Sequence, residues 1–562
     1  MVTNFMESIE CYKFDYFNWG YEDAIEDNLL EDELCFCRNI SVKEYLSGEK
    51  IYILGNKGTG KTALYKLTKD KRIQFTNDLD NTKHIIGFEE DYQFSIMKKF
   101  IERNIYIDVT GNQIEKYRSM WELYIVYRMV LYIRKIFPNS VPTTISKIAN
   151  DFEILFGVNE HNSILDLLKS QKKTFSCRVD ATMNTFTPQV MLETDRTYRE
   201  NKQKRIGEKT EINLSEIKEE IARYCNESKI TFILLFDRLD DFVTKEDYEI
   251  QKDIIGALVK CERSYAKYKN IKYKIFIRND LFNRVDFTSI GYDKIVNRVM
   301  ELKWNDKDIR EFIAKRIVYN YIKYLQMETI HFKNDQFDGN IDTVYVKDNR
   351  NWLIKILRKK ISKNIPMNDY INNKIMLSLI PEKIEHYDKT GNLKTIESVE
   401  FFATHFLLNN GYSTPRMIII FLRELFSSAK SRYNNTCEII HTEDGHIDYL
   451  KSIDFINAYE HYQDIMNGIF SKIDRKFENQ TNSFIKKKGF LSNFSFIEIC
   501  TFMNVKSDQQ KSELKQLIAY LEQIGYLKCL SLENENYERR RYELPVVFRR
   551  VNRKARNIET NV

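Results

Sequence analysis

The chain has 562 residues and a mass of 67.3 kDa, which at ~150 residues per domain predicts three or four domains. It is 43% hydrophobic and 30% charged, with 18 Gly and 7 Pro, so collagen-like, low-complexity and largely disordered proteins are excluded. The net charge of +6 is matched by residues 538–556 alone, where eight basic residues stand against Glu538 and Glu543.

Candidate strands in the first half of the chain alternate with candidate helices. Apolar, β-branched runs at 51–55, 105–109, 230–236 and 271–277 have the length of buried parallel strands. Between them, 120–137 is apolar nearly all round and predicts a buried core helix. The alternation predicts an α/β fold, with a parallel sheet covered by helices on both faces.

The second half of the chain predicts helices followed by a winged helix. Strand signals thin out after about 305, where 306–325 and 399–411 have helical periodicity. Near the C-terminus, an apolar helix at 496–503 precedes an amphipathic helix that ends at Gly525. Two strands, YLKCLSL and RRYELPVVF, are joined by a turn-forming GluAsnGluAsn. This order predicts a winged-helix-like domain.

The strongest motif is GNKGTGKT at 55–62, which matches the phosphate-binding pattern GxxxxGK(S/T) between a predicted strand and a predicted helix. Its glycines allow positive φ, so that successive N–H groups surround phosphates at the helix N-terminus. Lys61 supplies charge at the β- and γ-phosphates, and Thr62 offers a hydroxyl to Mg²⁺. The residues expected to bind ATP are Gly55, Asn56, Lys57, Gly58, Thr59, Gly60, Lys61, Thr62 and Ala63.

A second metal-binding carboxylate is expected at the end of a neighbouring buried strand. FILLFDRLDDF supplies Asp237 there, with Asp240 and Asp241 just beyond. A buried acid is costly unless it coordinates a cation or is well hydrogen-bonded, so Asp237 is the predicted Mg²⁺ residue. Because Arg238 follows it, the carboxylate that orients the attacking water is expected to be Asp240 or Asp241. Alternatively, hydrolysis is slow and the nucleotide acts as a switch.

Three arginines are candidates for contacts with phosphate or with a neighbouring subunit. Arg278 ends the fourth predicted strand together with Asn279 and Asp280, where open parallel sheets bind ligands. It is a phosphate sensor, a subunit contact or a member of a surface charge pair. Arg298 is a second interface candidate. Arg416 begins an apolar helix in the predicted lid, and either contacts nucleotide phosphates or is a surface arginine at a helix start.

The order of these motifs resembles a bacterial P-loop ATPase family of the AAA+ and STAND type, often found in anti-phage defence loci. The family is distantly similar to origin-recognition and KAP-type ATPases. The resemblance covers about 14–430 and includes GNKGTGKT, FDRLDDF, FIRNDLF, ELKWNDKDIREFIAKRI, SLIPEKIEHYDKTG, STPRMIIIFL and a leading FNWGYEDAIED. It implies ATP binding at 55–62, Mg²⁺ at Thr62 and Asp237, a first sensor at Arg278 and a second at Arg416. KAP-type members have membrane helices within the ATPase domain, whereas this sequence has no apolar run long enough.

Four segments are expected. An N-terminal leader (1–48) precedes a P-loop ATPase core (49–315) with an insertion near 140–225. A helical lid and sensor domain (316–434) and the winged-helix-like domain with its basic C-terminus (435–562) follow.

Three functions are compatible with these motifs. The leading hypothesis is an ATP-hydrolysing switch that couples nucleotide state to homo-oligomerisation and a partner effector. The second is an origin-recognition-like loader that holds duplex DNA through the winged helix and basic C-terminus, although that basic stretch is equally well a solvated tail. The third, a small-molecule kinase, lacks an evident compact acceptor site.

Other features indicate where the protein acts and which groups it lacks. Nine scattered cysteines without zinc spacing predict reduced thiols and no zinc. The N-terminus lacks the pattern of a signal peptide, so we expect a cytoplasmic protein with no membrane partner. Phe17 and Trp19 are candidates for stacking on adenine, with core packing as the alternative.

Overall fold

The computed structural model describes most of the chain as two compact units. The described residues are 17–31, 35–75, 82–89, 105–107, 113–139, 141–156, 175–180, 187–192, 210–239, 248–285, 287, 291, 293–324, 328–330, 343–347, 362–366, 368–377, 379–387, 393–409, 411–432, 450–473, 477–489, 491–532 and 536–549. The sheet unit comprises Glu44–Gly55 and Leu64–Glu301. The C-terminal unit comprises Met1–Lys43, Asn56–Ala63 and Leu302–Val562.

A five-stranded parallel sheet forms the centre of the sheet unit. Its strands are β1 (Tyr52–Leu54), β2 (Thr82–Glu89), β3 (Ile230–Asp237), β4 (Ile271–Ile277) and β5 (Val299–Glu301). Their order is β2-β3-β4-β1-β5, so β4 lies between β1 and β3. β3 is buried at every position, as expected for a parallel strand that is covered on both faces. The strands predicted at 51–55, 230–236 and 271–277 are confirmed.

The strand predicted at 105–109 forms, but it is not part of the central parallel sheet as the sequence predicts. Ile105–Ile107 belongs to a separate four-stranded sheet with Phe175–Asp180, Thr187–Leu192 and Thr210–Asn213. These three other strands fall inside the predicted insertion near 140–225.

The second strand of the central sheet is β2, which the sequence did not indicate. Its Gly87 leaves room for the Tyr65 hydroxyl, because a Cβ there would collide with it. The Gly87 carbonyl also accepts a hydrogen bond from Arg128 Nη2 (3.1 Å). Pairing with β3 along all eight residues therefore fixes a segment whose own apolar pattern is weak.

Helices pack around the central sheet, and the predicted core helix is confirmed as part of Gln113–Ile136. Its Glu122 is fully buried, and the carboxylate accepts hydrogen bonds from Lys218 Nζ (3.0 Å), Arg118 Nε (3.3 Å) and Ser264 Oγ (3.1 Å). This network explains how an apolar helix tolerates a buried acid. Other helices of this unit include Thr143–Phe156, Leu214–Glu227, Tyr248–Tyr265, Asn279–Phe282 and Asp293–Val296.

The C-terminal unit is helical but not purely so. Its first helices are Asp306–Tyr324, Asp369–Leu377, Ser398–Thr404, Pro415–Arg432 and Ser452–Ser471. Besides these helices, Lys383–Tyr387 and Leu393–Glu397 form an antiparallel hairpin. A three-stranded antiparallel sheet of Glu328–Ile330, Thr343–Lys347 and Ser362–Pro366 is also present. We call Pro415–Arg432 the lid helix.

The last part of the chain contains the two helices and two strands that the sequence predicted, in the predicted order, together with a further helix and a further strand. It comprises Glu478–Lys488, Asn493–Ser495, Phe496–Met503, Asp508–Gln523, Lys528–Cys529 and Arg541–Glu543. The three strands pair antiparallel, with the last one in the middle. Gly525 adopts φ +86° just after the helix Asp508–Gln523, as the predicted helix stop requires.

The predicted segment boundaries do not coincide with the compact units. The boundary at 315 falls inside the helix Asp306–Tyr324, and the sheet unit ends at Glu301. One hydrophobic cluster runs from Trp19 through the lid helix to Phe548, so the boundary at 434 divides a single core. The predicted leader joins this core, because Phe17 and Trp19 pack against Phe426 with ring centroids 4.7 and 4.9 Å away. Both aromatic residues therefore have the core-packing role.

Among the described residues, no helix combines the length and apolar character that a bilayer crossing requires.

His405 should make the C-terminal unit sensitive to acid. Its ring stacks on Phe401 (4.3 Å between centroids) and lies 4.9 Å from His386. Burial, reinforced by the charge of His386, lowers the pKa of His405 to about 3. The folded state therefore binds fewer protons than the unfolded state between pH 6.5 and 3. The contribution of neutral His405 to stability is fully present above pH 6.5 and is lost as the pH falls. We expect His405 to contribute a loss of about 2 kcal/mol between pH 7.5 and 5.

Urea unfolding of the wild type and of His405→Phe across this pH range tests the expectation. The difference in free energy of unfolding at pH 7.5 measures the change in packing. As the pH falls, the stability of the wild type relative to His405→Phe should decrease. A difference that is independent of pH would show that His405 does not titrate in this way.

Candidate nucleotide-binding site

The predicted phosphate-binding loop connects β1 to the helix Lys61–Lys69. Within it, Gly58 and Gly60 adopt φ +89° and +97°, backbone conformations that favour glycine. Gly55 is not among the residues with positive φ, so only two of the three glycines are used in this way. The Asn56 carbonyl accepts hydrogen bonds from Thr59 N (3.3 Å), Thr59 Oγ1 (3.0 Å) and Lys61 Nζ (3.0 Å). The loop is thus closed by its own polar groups around one carbonyl.

The loop packs closely against the start of the lid helix. A Cβ on Gly58 would lie 2.7 Å from the Cβ of Arg416 and 3.3 Å from Thr414 Oγ1. On Gly60, by contrast, a Cβ would meet nothing within 4 Å. One glycine therefore permits contact with the lid, whereas the other borders open space.

Arg416 is held at this position by the N-terminal segment. Its Nε and Nη2 both donate to the Glu22 carbonyl at 3.2 Å. The Glu22 carboxylate pairs with Arg423, about two turns further along the lid helix (Nη1–Oε1 3.4 Å). Arg416 lies beside the phosphate-binding loop, and its contact with nucleotide phosphates stays a prediction. Glu22 was missed, because nothing in the sequence links it to a residue 394 positions away.

Trp304 is a second residue beside the loop that sequence reasoning did not assign. Its side chain is 7% exposed, and its indole Nε1 donates to the Thr59 carbonyl at 2.8 Å. Trp304 lies within the sequence ELKWNDKDIREF, but no known residue spacing predicts a role for it.

The carboxyl edge of the sheet gathers the other predicted residues. Asp237 is the last residue of β3 and is 2% exposed. Leu54 pairs with both Ile277 and Glu301, so the next residues of β1 and β4, Gly55 and Arg278, emerge at the same edge. Arg238, immediately after Asp237, has φ +60°, an uncommon conformation for a residue with a side chain. Ligands of open parallel sheets bind at this edge.

The polar triplet after β4 is hydrogen-bonded within the sheet unit. Arg278 and Asp280 form a buried bidentate pair, with Nε–Oδ1 at 2.9 Å and Nη2–Oδ2 at 2.7 Å. Asn279 Nδ2 donates to Glu301 Oε1 at 2.6 Å. Arg278 is therefore in a charge pair, as one of its alternatives stated, but the pair is buried. Its role as a phosphate sensor stays a prediction.

Three further candidates are Arg298, Asp240 and Asp241. Arg298 forms a bidentate pair with Glu262 (2.5 and 3.2 Å), and that carboxylate also accepts from Tyr52 Oη at 2.7 Å. Arg298 thus has a partner within the chain, and its role at a subunit interface stays a prediction. Asp240 and Asp241, the candidates for orienting water, lie outside the described residues.

The residues of the loop fit a bound phosphate chain. The space beside Gly60 is open, the loop leads into the N-terminus of a nine-residue helix, and Lys61 lies in its first turn. Backbone N–H groups at a helix N-terminus attract anions, and a lysine adds a full positive charge. The parallel sheet and this loop together define an α/β P-loop protein.

Comparisons with known proteins add little to this assignment. No known family model matches the sequence, and no curated protein matches it. The solved structures that resemble this chain include the Aeropyrum pernix ORC1 protein in complex with DNA, at 9% identity over 94% of both chains, with a TM-score of 0.32. The Aeropyrum pernix ORC2 protein, in ADPNP–ADP complexes, is 8% identical over 93% of this chain and 90% of that one, also with a TM-score of 0.32. A likeness this weak says nothing about function.

Proposed function

We propose that this protein binds and hydrolyses ATP as an AAA+/STAND-like switch ATPase. One observation carries the proposal: Gly58 of the phosphate-binding loop packs directly on Arg416 of the lid helix. An arginine at this position can exchange the Glu22 carbonyl for a phosphate oxygen, and charge-assisted hydrogen bonds to phosphate are the stronger ones. Nucleotide binding would thereby change the contacts of the lid helix.

Each predicted site residue has its own proposed role. Residues 55–63 would bind the phosphates, with Lys61 neutralising their charge. Thr62 and Asp237 stay the predicted Mg²⁺ ligands, and Asp240 or Asp241 would orient the attacking water. Bound Mg²⁺ supplies charge neutralisation at the phosphates. The sensing roles of Arg278 and Arg416 belong to the same proposal.

The partners follow from the family resemblance. We propose that the ATP-bound form self-associates and acts on a protein effector in anti-phage defence.

A second candidate function is origin-recognition-like DNA binding. It is favoured by the winged-helix-like element order at 478–543 and by the exposed Arg539 and Arg541 beside its last strand. Lys515, on the helix Asp508–Gln523, lies 4.9 Å from the centroid of the Tyr537 ring, and Arg540 lies 4.8 Å from the same centroid. Several cations on one surface would hold duplex DNA in a salt-dependent manner. The basic residues from Arg550 onward lie outside the described residues.

Lys61→Ala should weaken ATP binding at least about 100-fold, because the charge-assisted contact to the phosphates is lost. Isothermal titration with Mg²⁺-ATP measures the affinity, and phosphate release measures turnover. Lys69→Ala removes an exposed lysine from the same helix and should bind ATP like the wild type. Equal affinity in Lys61→Ala and Lys69→Ala would remove the site assignment.

The same turnover assay with duplex DNA distinguishes the two functions. Stimulation by DNA that fades as salt rises would favour the DNA-binding function. Turnover that is indifferent to DNA would favour the switch.

A further inference from the structure

Trp304 contacts the phosphate-binding loop through its side chain. The indole Nε1 donates to the Thr59 carbonyl (2.8 Å), and the ring packs edge-on against Phe312, 5.8 Å away. The side chain is almost completely buried, so it cannot leave this hydrogen bond without disturbing the core around it.

The backbone around Trp304 is fixed as well. Asn305 N donates to Asp308 Oδ2 (3.1 Å), and Asp308 N donates to Asn305 Oδ1 (3.0 Å), a reciprocal cap at the start of the helix Asp306–Tyr324. The indole is therefore attached to a rigid helix start rather than to a free loop.

The hydrogen bond to Thr59 determines the direction of the next N–H group. A trans peptide unit is planar, and its C=O and N–H point in opposite directions. Because Trp304 holds the Thr59 carbonyl on its own side, the Gly60 N–H must point away from Trp304. Gly60 borders the open space of the loop, and N–H groups of this kind bind phosphate.

The main chain of Trp304 contacts the approach to the lid helix. Its carbonyl accepts a hydrogen bond from Ser413 N at 3.0 Å. Two residues later the lid helix begins, with Arg416 packed on Gly58. A single residue thus holds the phosphate-binding loop with its side chain and the lid with its backbone.

We propose that Trp304 is a positioning residue for nucleotide binding, which aligns the Gly60 N–H with the phosphates and transmits loop occupancy to the lid helix. The proposal rests on the proposed ATP-binding function and deepens it. Trp304 does not contact the nucleotide in this assignment; it acts through the peptide group between Thr59 and Gly60.

Trp304→Phe tests the proposal, because it keeps an aromatic ring and removes the N–H donor. The matched control is Trp121→Phe, since Trp121 is also fully buried and its Nε1 donates to the Ile254 carbonyl (3.0 Å). Both variants lose one buried hydrogen bond, so their losses of stability in urea should be similar. Only Trp304→Phe should bind ATP about tenfold more weakly.

Hydrogen exchange at saturating Mg²⁺-ATP tests transmission to the lid. In the wild type and in Trp121→Phe, ATP should slow exchange in peptides covering 411–432. In Trp304→Phe this protection should be lost even when the loop is saturated. A merely structural tryptophan would leave both the affinity and the ATP-dependent protection as in Trp121→Phe, and that result would overturn the proposal.

The failure of this inference differs from the failure of the proposed function. If the wild type binds no ATP, the proposed function fails; if the wild type and Trp304→Phe bind ATP equally, only the role of Trp304 fails. Should Trp304→Phe not fold, ¹⁹F spectra of 5-fluorotryptophan-labelled wild type replace it, with Trp304 assigned by elimination through Phe variants of Trp19, Trp121 and Trp352. The Trp304 resonance should shift on addition of ATP and stay unchanged in Lys61→Ala; a resonance that ATP does not shift overturns the role.

Discussion

Gly58→Ala should strongly reduce the stabilisation of the protein by ATP. The residue has φ +89°, where a side chain costs about 1–2 kcal/mol. The new methyl group would also lie 2.7 Å from the Cβ of Arg416. Both atoms are attached directly to the main chain, so neither can rotate away, and the loop must separate from the lid helix. We expect a loss of about 2–4 kcal/mol in the free energy of unfolding and an ATP affinity reduced at least about 30-fold.

Thermal unfolding with and without Mg²⁺-ATP measures both effects, and Gly411→Ala is the matched control. Gly411 also has positive φ (+77°) in the C-terminal unit, but a Cβ there would meet nothing within 4 Å. Its substitution therefore adds backbone strain without a collision, and ATP should still stabilise that variant. If Gly58→Ala behaves like Gly411→Ala, contact between the loop and the lid helix has no part in nucleotide binding.

A second substitution at the lid separates collision from strain. Arg416→Gly removes the Cβ that the new methyl group would meet. In the Gly58→Ala background it should recover part of the lost stability, but it should not restore the response to ATP, because the arginine itself is absent. Recovery of both properties would exclude Arg416 as a phosphate sensor.

The parts of the fold that sequence could predict are those whose information is local. β3 is mostly apolar, and β4 alternates before it becomes fully apolar. The helix Phe496–Met503 carries a capping box in which Ser495 and Glu498 bond reciprocally. The phosphate-binding loop has a fixed pattern of glycines and lysine. Each of these signals lies within about eight residues, so no knowledge of the rest of the chain is needed.

The parts that sequence missed depend on contacts between distant segments. β2 is only weakly apolar, and its place in the sheet comes from pairing with a strand about 150 residues away. Glu22 and Trp304 touch Arg416 and Thr59 only because the chain folds back on itself. Arg278 illustrates the converse: its position at the strand end was predictable, but its buried pairing with Asp280 was not.

Asp27→Ala should be the most destabilising single substitution that we predict outside the phosphate-binding loop. Asp27 and Arg316 are 2% and 1% exposed, and Arg316 Nη2 donates to Asp27 Oδ2 at 2.8 Å. Arg316 Nη1 also donates to the Trp19 carbonyl, and the guanidinium lies 4.5 Å over the Phe312 ring. Removing the carboxylate leaves a buried positive charge without its counter-ion, which typically costs about 3–5 kcal/mol. Urea unfolding at pH 7 measures the loss.

An exposed ion pair of the same unit is the control. Lys307 and Asp369 are 3.0 Å apart with side chains 63% and 51% exposed, so Asp369→Ala should change the stability by less than about 1 kcal/mol. In Asp27→Ala/Arg316→Met the unpaired charge is absent as well, and part of the stability should return. Equal losses for Asp27→Ala and Asp369→Ala would show that the buried ion pair contributes no more to the free energy of unfolding than the exposed one.

The Asp27–Arg316 pair also has a consequence for the nucleotide site. The pair attaches the N-terminal segment to the helix Asp306–Tyr324. Gly20, in that segment, has φ +82°, and a Cβ there would collide with both Asp27 and Arg316. The same segment supplies the Glu22 carbonyl that holds Arg416. If Asp27→Ala detaches this segment, Arg416 loses its intramolecular acceptor and is free to bind phosphate. At temperatures where Asp27→Ala remains folded, it should therefore bind ATP at least as tightly as the wild type despite its lower stability, and a parallel loss of ATP affinity would contradict the exchange of Glu22 for phosphate.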